Sequence, residues 1–428
     1  MKADSEALPV LSSAGSGAEG TIAILPVLAL VLVAARLAGA LFERAGQPAV
    51  LGELVLGIIL GNLFHVGGPD LRTVAQGETL GTLAELGAVL LLFQVGLEST
   101  PAQMLAVGGH ALLVAVLGVA APLALGFGVG RLMHPGESWM LHAFLGAMLS
   151  ATSVGITARV LADARALQTR AARIILGAAV IDDVLGLVVL AVIAGVITAA
   201  TTGVPLGAWE VVLICAKAAV FLAGALVLGS FISPRLFRHA LAVRSIGLVQ
   251  ALALGFCFGL SYLAHLAGLA PIVGAFAAGL VLEEVHFEEH VRRGDRPLHK
   301  SLDPLIALLV PVFFVRMGMS VDLASFAKAS VLGLAALLTA AALAGKLICG
   351  LAAPKGVSRL TIGLGMLPRG EVGLIFAGIG AQLVLAGKPV IDAGTYAAAV
   401  FMVLVTTIIT PPLLLRSLRG RVPPRSVP

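Results

Sequence analysis

The feature that most constrains this chain is a pair of adjacent aspartates inside an apolar run. The run extends from Arg173 to Gly195, and Asp182 and Asp183 lie near its centre. It is long enough to cross the hydrocarbon core of a membrane, which takes about 20 residues. A charged residue at the centre of such a helix costs roughly 2.5 to 3.5 kcal/mol on insertion scales, so the pair is a candidate functional site.

Composition places the whole chain in a membrane. Hydrophobic residues make up 59% of the 428 residues, charged residues make up 12%, and the mean hydropathy is +1.05. The apolar segments are continuous and lack the alternation that is typical of transmembrane barrels. They predict an all-α polytopic membrane protein of about thirteen spans. These spans are expected to begin near Thr21, Ala49, Leu80, Met104, Ser138, Arg173, Leu206, Ser245, Leu269, Pro304, Ala324, Ser358 and Ile391.

Lysine and arginine residues are concentrated in alternate loops. The net charge of +5 therefore indicates how the chain is oriented in the membrane and does not indicate a nucleic-acid partner. The positive-inside rule then predicts a multi-pass protein of the bacterial inner membrane, with its N-terminus outside and its C-terminus in the cytoplasm. The seventh span separates two six-span halves that start on opposite sides, as in transporters with inverted repeats. The predicted organisation is an extracytoplasmic tail (1–20), a first inverted repeat (21–201), a linker helix (206–232), a second inverted repeat (245–416) and a short cytoplasmic tail (417–428).

Two spans at matching positions of the halves carry residues that interrupt helices. The fifth reads Ser150-Ala-Thr-Ser-Val-Gly-Ile-Thr157, and the twelfth reads Gly365-Met-Leu-Pro-Arg-Gly-Glu-Val-Gly373. We expect the fifth span to leave the helix from Thr152 to Gly155, which frees carbonyl and hydroxyl oxygens toward a cavity. In the twelfth span, Arg369 and Glu371 are two residues apart and should point away from each other on a helix.

Four spans contain polar or helix-breaking residues at nearly one depth. Counted from the span ends at a rise of about 1.5 Å per residue, this depth is close to the middle of the bilayer. These residues are Asp182, Asp183, Ser153, Pro368 and Lys346. With Arg369 and Glu371, this level holds three acids and two bases, which leaves one negative charge. A low-dielectric site covers that charge with a cation or with a proton, and the two exclude each other. Hard alkali cations prefer oxygen ligands of this kind. The pattern predicts cation:proton antiport.

Several motifs resemble those of the bacterial monovalent cation:proton antiporters, in particular Na+/H+ antiporters of the NapA type. The resemblance extends from about residue 30 to residue 412. The motifs are Gln47-Pro-Ala-Val-Leu-Gly-Glu53, Leu91-Leu-Phe-Gln-Val-Gly-Leu-Glu98, Ala151-Thr-Ser-Val-Gly-Ile-Thr-Ala-Arg-Val160, Ile174-Ile-Leu-Gly-Ala-Ala-Val-Ile-Asp-Asp-Val-Leu-Gly186, Ala270-Pro-Ile-Val-Gly-Ala-Phe276, Pro311-Val-Phe-Phe314 and Pro368-Arg-Gly-Glu-Val-Gly373.

The resemblance implies a role for each residue of the site. Asp183 would be the carboxylate that binds the cation and the proton. Asp182 would pair with Lys346 in the proton-loaded or empty state. Thr152 and Ser153 would lie beside the Na+ ion where the two broken helices cross. A carboxylate pair with a lysine can exchange two protons for one Na+, so transport of Na+ or Li+ against H+ would be electrogenic.

The resemblance also implies the NhaA/NapA-like antiporter fold and an alternating-access cycle without a cofactor. Arg369 and Glu371 match the midplane charges that support the site. A core bundle of spans four to six and eleven to thirteen would move against a dimerisation bundle of spans one to three and eight to ten. The implied assembly in the lipid bilayer is a homodimer.

Three alternatives to Na+/H+ antiport are open. A K+/H+ antiporter differs only in cavity size and ligand number, and the paired aspartates favour Na+. An intramembrane aspartyl protease is an enzyme that needs its two acids on separate helices to share acid/base work, whereas Asp182 and Asp183 are about 100° apart on one helix. A channel needs a filter-like carbonyl run or a ring of charges. The sequence therefore favours a transporter over an enzyme or a channel.

Overall fold

A computed structural model of the chain describes residues 18–66, 71, 77–98, 108–164, 166–167, 169–201, 208–243, 247–282, 298–385 and 387–418. These residues form fifteen α-helices and one short antiparallel hairpin, β1 (Val384–Leu385) with β2 (Lys388–Pro389). The helices are α1 (Ala18–Arg44), α2 (Ala49–Gly61), α3 (Glu78–Glu98), α4 (Gly109–Met133), α5 (Trp139–Ser150), α6 (Val154–Asp163), α7 (Arg170–Thr201), α8 (Ala208–Val243), α9 (Leu248–Leu266), α10 (Pro271–Val281), α11 (Leu298–Met319), α12 (Ala329–Cys349), α13 (Arg359–Gly365), α14 (Glu371–Gln382) and α15 (Ala393–Leu418).

The helices account for the thirteen spans that the sequence predicts. Two short pairs, α5 with α6 and α13 with α14, each correspond to one predicted span that is broken, and every other described helix corresponds to one predicted span. Eight of the described helices are long and apolar enough to cross a membrane, and five shorter ones are apolar over 10–17 residues. The short helices include parts of both broken spans, and hydropathy alone does not show that the helix is interrupted there.

The predicted start of the tenth span is wrong. Helix α11 begins at Leu298 and not near Pro304. Lys300 and Asp303 lower the local hydropathy, so the sequence pattern places the start after them. A helical backbone can continue past an exposed charge, because the charge itself remains in water while the chain keeps its internal hydrogen bonds.

The predicted start of the eleventh span is also wrong. The apolar stretch at Ala324 belongs to a 3₁₀ turn, Leu323–Ala327, and α12 begins only at Ala329. The side chain of Asp322 caps this turn by accepting a hydrogen bond from the amide of Ala324 at 3.1 Å. Hydropathy cannot distinguish such a turn from the first turn of the following helix.

The chain divides into two compact units, and the smaller comprises Met1–Gly87 and Leu305–Ser320. Within it, α2 packs on α11 through two glycines: a Cβ atom at Gly57 would lie 2.9 Å from the Cα of Gly318. Small residues allow helices in membranes to approach this closely. The guanidinium of Arg36 on α1 donates to the carbonyl of Ala307 on α11 at 2.8 Å.

The larger unit comprises Ala88–Pro304 and Val321–Pro428 and contains both broken spans. Within it, α4 packs against α5, α7 and α12. Spans four to six and eleven to thirteen all lie in this unit, as the implied core bundle requires. Spans eight and nine (α9 and α10) also belong to it, as do the part of α3 from Ala88 and the start of α11 up to Pro304, so the compact units do not follow the implied bundles.

Candidate ion-binding site

The break in the fifth span is shorter and earlier than the sequence predicts. Helix α5 is capped by the Ser138 side chain and ends at Ser150. Residues Ala151–Ser153 are not helical, and α6 resumes at Val154. The extended backbone of Ala151, with φ −59° and ψ 141°, ends the first half-helix. Gly155 therefore lies inside α6 and not in the break.

The break in the twelfth span is set by a proline. Helix α13 is capped by the Ser358 side chain, and the chain leaves helical structure between Met366 and Gly370. Pro368 has no N–H to donate and cannot continue a helix. The expectation that Arg369 shares a helix with Glu371 is wrong, since Arg369 lies in the break and α14 begins at Glu371.

The two broken segments cross and satisfy each other's backbone groups. The amide of Ser153 donates to the carbonyl of Pro368 at 2.8 Å. The hydroxyl of Thr157 donates to the carbonyl of Gly365 at 2.6 Å. Both bonds run from donors of the fifth span to carbonyls of the twelfth. Because a buried backbone group without a partner is costly, they allow both segments to remain non-helical inside the protein.

Arg369 holds the crossing to two further helices. Its fully buried guanidinium donates to the carbonyl of Ala151 in the other break and, at 3.5 Å, to the carbonyl of Ala342 on α12. The hydroxyl of Thr407 on α15 donates in turn to the Arg369 carbonyl. A guanidinium has five N–H donors in a rigid plane, so one side chain can bind several carbonyls. Arg369 thus joins both breaks, α12 and α15.

Asp182 and Lys346 form a buried ion pair next to the crossing. The ammonium nitrogen lies 2.8 Å from Asp182 Oδ1, and both side chains are fully buried. The second oxygen, Oδ2, is buried and has no hydrogen-bond partner among the described residues. Gly118 on α4 faces the pair, because a Cβ atom there would lie 3.1 Å from Asp182 Oδ1 and 3.4 Å from Lys346 Nζ.

Asp183 lies on the same turn of α7 as Asp182, and its side chain is 6% exposed. Gly186 follows one helical turn later, and a Cβ atom there would lie 4.0 Å from Ser150 Oγ, at the end of α5. Met366, the first residue of the second break, places its Cε atom 3.8 Å from the same Gly118 position that Asp182 contacts. The segment of α7 that carries the two carboxylates therefore lies next to the end of α5, and the Met366 side chain reaches the same glycine as Asp182.

The structure brings most of the candidate residues together in one buried region. Besides the two aspartates and Lys346, Arg369 is fully buried, and Thr152 and Ser153 are almost so. The Thr152 hydroxyl is 3.5 Å from the carbonyl of Met366. The side chain of Glu371 lies outside the described residues. The region offers carboxylate, hydroxyl and carbonyl oxygens, the donor set that hard cations prefer.

Sequence reasoning missed two threonines that join the spans, Thr157 and Thr407. A threonine in a helix usually bonds a carbonyl of its own preceding turn, as Thr406 does with Met402 at 2.8 Å. Thr157 and Thr407 bond another span instead. Nothing in an apolar run distinguishes the two cases. Gly118 was missed as well, although a proline follows it at the spacing of one hydrogen-bonded turn, at Pro122.

Comparison with known proteins identifies the family. The protein-family model described as "Sodium/hydrogen exchanger, transmembrane" matches residues 30–416, which is most of the chain. The chain belongs to the sodium/hydrogen exchanger family. This family consists of transporters, so the prediction of a transporter and not an enzyme is confirmed.

Relatives of the exchanger match it over about nine-tenths of its length. The high-affinity Na+/H+ antiporter NhaS3 of Synechocystis sp. is 35% identical, over 91% of this chain and 89% of its own. The Na+/H+-K+ antiporter GerN of Bacillus cereus is also 35% identical, over 90% of this chain and 94% of its own. Among solved structures, the sodium proton antiporter MjNhaP1 of Methanocaldococcus jannaschii superposes with a TM-score of 0.71 at 20% identity, covering 94% of this chain and 99% of its own. The predicted antiporter fold is confirmed.

The crossing of the two breaks makes a prediction about Gly370. A Cβ atom at this position would lie 2.7 Å from both Cβ and Oγ of Ser153. We expect Gly370→Ala to lower the free energy of unfolding by about 1–3 kcal/mol, because the extra methyl group has no space. The thermal unfolding midpoint in detergent measures this. Gly255→Ala on α9, where no atom lies within 4 Å of the added Cβ, is the matched control, and an equal midpoint for both variants would contradict the prediction.

Proposed function

We propose that this exchanger is a secondary active antiporter that exchanges Na+ (or Li+) for H+ by alternating access. The observation that carries the proposal is the fully buried Asp182–Lys346 ion pair beside two crossing broken helices. A merely structural ion pair needs one carboxylate for one lysine. Here a second carboxylate, Asp183, follows directly and is also buried.

In this proposal, Asp183 is the group for which the two ions compete. When it is ionised it binds Na+ together with oxygens of Thr152 and Ser153, and when it is protonated it cannot. Both residues belong to the non-helical segment, where backbone oxygens are not all used within a helix. Arg369 supports the site by fixing the Ala151 carbonyl at the start of that segment. Glu371 is proposed to support it as a second midplane charge.

Coupling runs through Asp182 and Lys346. In the proton-loaded or empty state the two side chains are paired, as observed at 2.8 Å. The charge of an arriving Na+ ion competes with the ammonium and breaks the pair.

The names of the relatives support Na+ and leave a second candidate. NhaS3 is named a Na+/H+ antiporter, whereas the equally similar GerN is named a Na+/H+-K+ antiporter. The second candidate function is therefore K+/H+ exchange at the same site.

A flux assay separates the two functions. In proteoliposomes with an internal pH-sensitive dye, we expect Na+ and Li+ to dissipate an imposed proton gradient and K+ to do so only at much higher concentration. A response to K+ at equal or lower concentration than to Na+ would replace Na+/H+ exchange by K+/H+ exchange. No response to any of the three cations would contradict antiport altogether.

We also propose a location and an assembly. Arg44 and Arg416 lie at the C-terminal ends of spans one and thirteen, and Arg170 and Arg359 lie at the N-terminal ends of spans six and twelve. If successive spans run in opposite directions, all four arginines are on one side of the membrane, which supports a bacterial inner membrane protein with its C-terminus in the cytoplasm. The exposed leucines and valines of α1 supply an apolar surface. The family resemblance supports a homodimer, and light scattering of the purified protein in detergent tests that state.

A further inference from the structure

The turn of α4 that faces the ion pair contains a main-chain acceptor without its helical donor. Pro122 lies in the interior of this helix. Proline has no N–H, so it cannot donate to the carbonyl four residues earlier, and its ring presses on that carbonyl. The residue four positions earlier is Gly118. The carbonyl oxygen of Gly118 therefore lacks the donor that every ordinary helical position provides.

The turn of α4 that carries this acceptor lies beside the side chain of Lys346. Pro122 packs on Gly345, the residue before the lysine: a Cβ atom at position 345 would lie 2.8 Å from Pro122 Cγ and 2.9 Å from its Cα. At the other end, the ammonium lies 3.4 Å from the Cβ position of Gly118. The lysine thus leaves α12 beside Pro122 and ends beside Gly118. Its stem follows the one turn of α4 from which a helical hydrogen bond is missing.

The proposed transport cycle needs such an acceptor. When Na+ breaks the Asp182–Lys346 pair, a fully buried ammonium loses its carboxylate. A buried charge without a hydrogen-bond partner is very costly. In membrane proteins, carbonyls freed by proline are bonded by groups of neighbouring helices, and hydrogen bonds with an ionised donor are the strong ones.

We propose that the Gly118 carbonyl is the second acceptor for Lys346. The ammonium binds Asp182 in the cation-free state and the Gly118 carbonyl in the cation-loaded state. Pro122 is a positioning residue that keeps this carbonyl available. The inference rests on the proposed function and adds to it where the lysine goes when the cation binds. Because the second acceptor stabilises the loaded state, it raises the affinity for Na+.

Two substitutions of Pro122 test the inference. Pro122→Ala and Pro122→Val both restore an N–H donor to the Gly118 carbonyl, and valine also keeps most of the ring volume next to Gly345. We expect both to raise the apparent KM for Na+ in proteoliposomes by about tenfold, which corresponds to about 1.4 kcal/mol, with little change in the maximal rate. The thermal midpoint without Na+ should not fall, since removing a helical proline favours the helix. The rise in midpoint on adding Na+ should be smaller than in the wild type.

The controls distinguish the possible failures. Pro26→Ala changes an exposed proline inside α1, in the other compact unit, and should leave the KM for Na+ unchanged. If the wild type shows no Na+-dependent proton flux, the proposed function fails. If the wild type transports but Pro122→Val has the KM of Pro26→Ala, the second acceptor is overturned. A raised KM for Na+ in Pro122→Ala but not in Pro122→Val would also overturn it, because that result would reflect lost packing on Gly345.

A double variant tests whether the effect passes through the lysine. In a Lys346→Gln background, Pro122→Val should cause no further change in the rise of the thermal midpoint on adding Na+, which reports binding without requiring coupled transport, because the ammonium is absent. Coupling of this kind is what a double-mutant cycle measures. Additive effects of the two substitutions would overturn the inference.

Discussion

Asp183→Asn is expected to abolish Na+-dependent proton flux in proteoliposomes, down to the rate of liposomes without protein. Asparagine keeps the shape of the side chain but can carry neither a negative charge for Na+ nor an exchangeable proton, so both halves of the cycle are lost. A pH-sensitive dye inside the liposomes measures the flux after a pulse of Na+.

The control for this variant is Asp303→Asn, which removes an exposed aspartate from α11. It should transport at the wild-type rate. Both variants should have thermal midpoints close to that of the wild type, so that the loss of flux cannot be ascribed to unfolding. Flux by Asp183→Asn at the rate of Asp303→Asn would remove Asp183 from the mechanism.

Lys346→Met is expected to lower the free energy of unfolding by about 3–5 kcal/mol, the usual cost of removing one partner of a buried pair. Methionine fills a similar volume, so the loss reflects the unpaired Asp182 carboxylate and not a cavity. The thermal midpoint in detergent should fall clearly below that of Lys217→Met, which changes an exposed lysine of α8.

A second substitution identifies the cause of this loss. Adding Asp182→Asn to Lys346→Met removes both charges of the pair and should restore most of the lost stability. If the double variant is as unstable as Lys346→Met alone, packing around the lysine and not the buried charge determines the stability. Equal midpoints for Lys346→Met and Lys217→Met would show that the pair contributes nothing to the fold.

Much of the fold follows from the sequence because the bilayer penalises polar atoms at depth. The apolar runs predict thirteen spans, and the carboxylates of Asp182 and Asp183 stand out because a charge in such a run is expensive. Helix ends are harder to predict. At Leu298, exposed charges lower the hydropathy without ending the helix, and before Ala329 an apolar 3₁₀ turn has the same hydropathy as a helix.

The contacts of the site could not be predicted in the same way. The partners of Arg369 depend on where the twelfth span breaks, and the break places this residue outside any helix. Which carbonyls its guanidinium reaches, those of Ala151 and Ala342, is decided by the crossing of two distant segments. The missing donor at Gly118 was predictable from the proline at 122 alone, but its nearness to Lys346 required the packing of α4 on α12.

The measurement that tests the central claim most directly is the apparent KM for Na+ in proteoliposomes as a function of pH. If Na+ and H+ compete for one carboxylate, the KM should rise as the pH falls, the maximal rate at saturating Na+ should stay nearly constant, and proton counterflow should accompany Na+ uptake. A KM for Na+ that does not change with pH, with Na+ uptake and no counterflow of protons, would contradict the account.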